Sequence, residues 1–196
     1  MSKLQEMILA DPAKIEEIAG ELDGLEASAR VEAVRSLGAK AQRKLWTLTA
    51  GHAVTLEDIV PPEKGPLEPV IHYGRNSLPL FSIFEKRFCR PPEGEDPPVL
   101  WGYNEGTLRP IVGPGYFVCR PTPEDERGSV VIDYYQVPPG KPENWPRIEP
   151  NDRGITRLVY GFMHDFLRKV STHVTIGRAY KHGKVTNNFF LLCREA

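Results

Sequence analysis

"ITRLVYGFMHDFLRKVSTHVTIGRAYKHGKVTNNFFLLC", residues 155–193, is the stretch on which the reading of the whole chain turns. In its first half Ile155, Leu158, Val159, Phe162, Met163, Phe166, Leu167 and Val170 recur at three- and four-residue intervals, behind an Asn151 or Asp152 cap. That spacing predicts an amphipathic helix over 153–170. The second half predicts two strands, "HVTIGRAY" and "VTNNFFLLC", closed into a β-hairpin at His182-Gly183, where Gly accepts a positive φ and His tolerates one.

A two-residue turn fixes a register. Lys181 faces Lys184, Tyr180 faces Val185, Arg178 faces Asn187, Ile176 faces Phe189 and Val174 faces Leu191. One face is then apolar except at Arg178 and Asn187. An isolated buried guanidinium costs several kcal/mol, so Arg178 is expected to meet an anion. The anion is either an internal carboxylate, with Asp133 and Glu85 as candidates, or the carboxylate or phosphate of a ligand in a pocket lined by Arg178, Asn187 and Tyr180.

His164, His173 and His182 fall nine residues apart in the same stretch, which raises a metal site. The predicted framework removes it. His164 lies on the polar side of the helix, and His173 and His182 sit at opposite ends of one strand, roughly 30 Å apart at about 3.3 Å per residue. Zinc ligands must all reach one ion at about 2 Å, so no metal is expected. Cys89, Cys119 and Cys193 are too dispersed for a ligand set and are expected to be buried thiols.

Upstream, 18 of the 19 prolines lie between residues 61 and 150, which breaks the middle of the chain into short segments. "NSLPLFSIFEKRFCRP" places Leu80, Phe81, Phe84 and Phe88 at helical spacing and predicts a short helix over 77–88. "PVLWGY", "GYFVCR" and "SVVIDYYQV" predict strands by their β-branched and aromatic content. Trp101, Tyr103, Tyr116, Phe117, Tyr134 and Tyr135 on those strands supply the aromatic lining that small-molecule pockets favour. "HYGRNSLP" gathers His72 and Tyr73 just ahead of the predicted helix start, where exposed N–H groups attract anions. "VGPGY" lacks the order of a phosphate-binding loop and predicts a turn or a strand kink.

The first fifty residues predict helices, one carrying Ile15, Ile18 and Leu22 and ending at Gly24, and a longer one carrying Val31, Val34, Ala41, Leu45 and Leu48 up to Gly51. Their apolar stripes need a partner, either the body of the chain or a second protein.

The chain has 196 residues and a net charge of −1, which hides an asymmetry. Residues 51–152 hold 10 Lys+Arg against 16 Asp+Glu, a balance of −6, and residues 153–196 hold 8 against 2, a balance of +6. The basic residues are dispersed among apolar ones, which disfavours nucleic acid as a partner. No window is long and apolar enough for a membrane span, and acids interrupt the N-terminus where a signal peptide needs apolar residues, which predicts a soluble, cytoplasmic protein.

These readings predict an α+β fold with a helical N-terminal segment (1–60) and an α+β domain (61–196). The domain is an antiparallel sheet of five or six strands covered by helices, ending in a helix and a β-hairpin. The expected function is a small-molecule-binding or sensor-like module for an anionic or aromatic ligand, with Arg178, Asn187, Tyr180, His72 and Tyr73 as its ligand-binding residues. An interaction module or homodimer built on the N-terminal helices is the alternative, and an enzyme of unstated reaction class a further one. No motif identifies a cofactor or a catalytic residue.

Overall fold

The computed structural model describes residues 2–94 and 96–195 and overturns the open sheet. Eight antiparallel strands form a closed barrel in sequence order: β1 (Val70–Asn76), β2 (Ile83–Cys89), β3 (Leu100–Glu105), β4 (Phe117–Pro121), β5 (Val130–Asp133), β6 (Met163–Lys169), β7 (Val174–Lys181) and β8 (Lys184–Arg194). β8 returns to pair with β1, His72 opposite Arg194 and Asn76 opposite Phe190, so no strand edge is left open in the ring. The helices α1 (Lys3–Leu9), α2 (Ile15–Asp23), α3 (Ala27–Arg35), α4 (Ala39–Leu48) and α5 (Leu56–Ile59) precede the barrel. Two short ones, α6 (Arg109–Val112) and α7 (Gly154–Val159), lie between strands.

Two predicted helices are strands. Residues 83–89 form β2, with Phe84, Lys86 and Phe88 turned into the lumen, and residues 163–169 form β6, leaving only the one-and-a-half turns of α7 from the helix expected over 153–170. The reason is burial on both faces. Leu167 packs in the lumen while Phe166 packs under the N-terminal helices. A strand covered on both sides carries apolar residues on both, and its pattern then mimics helical spacing. Phe162, at φ 62°, marks the break between α7 and β6.

The terminal hairpin has His182 at φ 52° and Gly183 at φ 72°, and Tyr180 faces Val185 and Lys181 faces Lys184. A bulge between Arg178 and Tyr180 then moves the register, so that Arg178 faces Phe189, Ile176 faces Leu191 and Val174 faces Cys193.

The barrel wall is packed on two outer sides. Outside β5–β8, Ile8, Ile18, Leu22, Val34, Leu37 and Leu45 of the helical segment cover Phe166, Val174, Ile176 and Leu191, which places their apolar stripes on the chain's own barrel. The predicted long helix is two, α3 and α4, separated at Ser36–Gly38. Outside β2–β4, Trp145 from the 134–153 connection lies on Tyr103 at 4.9 Å between ring centroids, and Tyr116 donates to the Pro146 carbonyl at 2.6 Å.

One end of the lumen is sealed. Val54, Leu56, Ile59 and Val60 pack on Val70, Phe88, Leu100, Val130 and Leu192, so α5 and its flanks plug the barrel. A capping box at Thr55 and Asp58 starts α5. Lys169 Nζ on Asp58 Oδ1 at 2.6 Å, and the Ser129 hydroxyl shared between the Val54 N–H and carbonyl at 2.7 Å each, fasten it to the wall. Among the described residues no helix is long and apolar enough to cross a membrane.

Candidate functional site

The lumen above the plug begins with three glycines. Gly74 faces Phe84, Gly102 faces Phe117 and Gly177 faces Phe190, each pair directly cross-strand. A Cβ at these glycines would stand 2.6, 2.4 and 2.1 Å from the facing ring. Each ring therefore lies down over its glycine, where a side chain would hold it upright. The three rings, with Tyr134, surround one cation. Lys86 Nζ lies 5.7, 5.3, 5.1 and 5.1 Å from the centroids of Phe84, Phe117, Tyr134 and Phe190, within cation–π reach of all four.

Lys86 is 3% exposed and has a full set of acceptors. It donates to Asn104 Oδ1 at 2.7 Å, to the Tyr134 hydroxyl, and to Asp165 Oδ2 at 3.3 Å. Asn104 is aimed by the "VGPGY" segment: its Nδ2 donates to the Gly115 carbonyl at 2.8 Å, which leaves Oδ1 to face the ammonium. Gly115, at φ 54°, is required twice there, by its backbone and because a Cβ would meet the Tyr160 ring at 2.5 Å. Tyr160 in turn stacks on Tyr134 at 5.5 Å. The segment is an irregular connection from the end of α6 to β4, and it orients the site.

Burial pushes the Lys86 ammonium below its ordinary range, with Asp165 opposing the shift, and pushes the Asp165 carboxyl above its own, with Lys86 opposing. Burial also holds the Tyr134 phenol neutral far beyond its usual range and pushes Tyr160 up to about 12. Oδ1 of Asp165 is buried without a hydrogen-bond partner. Such an oxygen is costly unless something supplies a donor.

These polar groups form the floor of a cavity of about 360 Å³. Its walls are apolar, from Phe84, Phe190, Met163, Ala179 and Val112, and its mouth is formed by the β1–β2 loop, the segment 106–112 and the end of α7. Apolar side chains stand exposed at and beside that mouth, Leu80 at 70% and Leu158 at 74% among them. The volume lies in the range of small-ligand sites, and an eight-stranded barrel has room for one small ligand.

None of the five residues expected to bind ligand lines this cavity. Arg178 meets neither Asp133 nor Glu85: its Nε donates to the Thr186 carbonyl at 3.0 Å and its guanidinium lies 4.9 Å from the Phe189 ring, half-exposed on the outer wall. Asn187 accepts from Arg43 of α4, and Tyr180 packs edge-on against Phe166. His72 is inside the barrel at the sealed end, its Nε2 2.9 Å from the Ile59 carbonyl. Tyr73 points out to Glu195 and Arg35. Of the aromatic set, Phe117 and Tyr134 reach the lumen, Trp101, Tyr103 and Tyr116 pack outside the wall, and Tyr135 is exposed.

Asp133 is taken by His164, 3.2 Å away, and by Arg120 and Gln136. Among the described residues no three His, Cys, Asp or Glu side chains are placed to hold a metal ion. The three cysteines are buried free thiols, each raised by burial, Cys89 to about 12.

Lys86, Asn104 and Asp165 lie outside the expected site, and Tyr134 belongs to it only as part of the expected aromatic lining. The signal of Lys86 and Asp165 is a period of two. "FEKRF" and "MHDFL" each put one charge between apolar residues on a strand face, the same anomaly as at Arg178. It was hidden because both stretches also fit a helix.

No protein-family model, no curated protein and no solved structure matches this chain.

Proposed function

We propose that the chain is a binding protein for a small, largely apolar molecule that enters the barrel headfirst and sets a polar terminus against Lys86, Asn104 and Asp165. One observation carries the reading: an apolar cavity of about 360 Å³ ends on a buried, aromatic-caged ion pair with one carboxylate oxygen unpartnered. A barrel built only for stability would fill this space with side chains. A hydroxyl can donate to Asp165 Oδ1 and a carbonyl can accept from Lys86, which supports an alcohol or carbonyl head group.

The charge balance selects among ligands. Lys86 and Asp165 cancel at the floor, so an anionic head would bring a second negative charge beside Asp165 into a low-dielectric site. The reading therefore favours a neutral head over the carboxylate or phosphate expected from Arg178. Displacement of the neutral fluorophore N-phenyl-1-naphthylamine tests it. Decanol and decanal are expected to displace the probe and decanoate to do so much more weakly. Failure of the probe and of all three ligands to bind would overturn the reading.

A further inference from the structure

The geometry points to Lys86 as a covalent site, forming a reversible Schiff base with an apolar aldehyde held in the barrel. This rests on the binding reading above and goes beyond it in assigning a bond. The cavity floor presents an amine, a carboxyl group and a phenol within hydrogen-bond reach of one another, Nζ to Asp165 Oδ2 at 3.3 Å and the Tyr134 hydroxyl to the same Oδ2 at 3.3 Å. Phe84, Phe117 and Phe190 exclude water around the nitrogen. A lysine in such surroundings gives up its proton more readily than one in water, and desolvated amines of this kind are the ones that condense with carbonyls.

The proton inventory closes within the cluster. The state with neutral Lys86 and protonated Asp165 has the same net charge as the ion pair and is reached from it by passing one proton from Nζ to the carboxylate 3.3 Å away. A neutral amine keeps two hydrogens, which serve two of its three present acceptors and leave the third corner for the lone pair. That lone pair attacks the aldehyde carbon and forms the C–N bond. A proton from the nitrogen reaches the former carbonyl oxygen, directly or through the hydroxyl of Tyr134, to give a carbinolamine. The Asp165 proton then goes to the carbinolamine oxygen, the C–O bond breaks and water leaves. The product is an iminium paired with the Asp165 carboxylate, with no electrons gained or lost. An iminium needs a buried counter-ion, and Asp165 is already in place. Hydrolysis reverses every step, so an aldehyde is held and can be released.

The test combines the whole chain with limiting decanal and sodium cyanoborohydride at neutral pH, followed by intact mass and peptide mapping. Reduction fixes an imine as a secondary amine wherever it formed. Expected is an adduct on Lys86 at about tenfold or more the level on any exposed lysine, because the cavity holds the aldehyde against this one amine. Decanol in excess is expected to protect Lys86 and leave the background on exposed lysines unchanged, a readout that needs no variant. Lys86→Met, checked for folding by circular dichroism, should lose the selective adduct and keep the background labelling of exposed lysines. Even labelling of exposed lysines with Lys86 unmodified, while decanol still displaces the probe, would overturn the covalent step and leave the binding reading standing. If decanol also fails to displace the probe, both fall.

Discussion

Lys86 and Asp165 stand on opposite walls of the barrel, four strands apart in a ring of eight, and their side chains meet across the lumen with Nζ 3.3 Å from Oδ2. The pair is a crossbeam in a space that is otherwise apolar. Removing one partner leaves the other buried and unpaired, which costs about 3–5 kcal/mol for such pairs. Lys86→Met or Asp165→Leu alone should therefore lower stability strongly in urea unfolding. The double variant should recover most of the loss, because it leaves no orphaned charge. Additive losses in the double-mutant cycle would show that the two groups do not act as a pair.

The glycine and phenylalanine pairs make a second prediction. Gly177→Ala sets a methyl group 2.1 Å from the Phe190 ring, and Gly102→Ala meets both Phe117 and the Arg87 carbonyl, at 2.4 and 2.5 Å. Overpacking of this kind costs about 1–3 kcal/mol. Phe190→Leu removes the ring that Gly177 accommodates, so Gly177→Ala should be far less harmful in that background. At Gly102 the backbone carbonyl remains, and Phe117→Leu should rescue it poorly. Denaturation midpoints of the four variants and two doubles separate these outcomes.

His72 gives a pH dependence with a defined sign. Burial, with a smaller contribution from Arg194, lowers its folded pKa from 6.5 to about 4, while its Nε2 holds the Ile59 carbonyl of the plug. The folded chain keeps the ring neutral where the unfolded chain takes up a proton, so the unfolded state binds more protons between these values. Stability is then fully present above pH 6.5 and is lost as the pH falls toward about 4, by about 2–3 kcal/mol across that window. His72→Gln keeps a donor for Ile59 and cannot titrate. Urea unfolding at pH 7.5 and 4.5 should show the wild type losing more than the variant by that margin, and equal losses would refute the assignment.

The fold is legible in the sequence to different depths in different places. The turn at His182-Gly183 was legible because it depends on two residues and their φ angles alone. The bulge two residues before it was not, since nothing in "GRAY" distinguishes a regular ladder from one that slips, and the slip carried Arg178 away from Asn187. Barrel closure was illegible for a related reason. It requires β8 to find β1 more than a hundred residues away and requires β2 and β6 to be strands, whereas "LPLFSIFEKRF" and "ITRLVYGFMHDFLRKV" satisfy helical spacing equally well. With those two strands read as helices, Lys86 and Asp165 lost the alternation that places them inside, and the site went with them.

Ala179 offers the most direct separation of cavity from scaffold. It lies opposite Asp165 on the neighbouring strand and faces the lumen beside Phe190, where its small side chain leaves room for a ligand. Ala179→Leu adds three carbons to an apolar wall of the cavity, away from the plug and the outer helical layer. Filling an existing space commonly gains about 0.5–2 kcal/mol, whereas the same change in a tightly packed wall costs about 1–3 kcal/mol. The expected outcome is a chain of equal or higher melting temperature that no longer binds N-phenyl-1-naphthylamine or decanol. Such opposite movements of stability and binding mark a space kept open for a ligand. A destabilised variant that binds the probe as tightly as wild type would place the ligand elsewhere and remove the lumen from consideration.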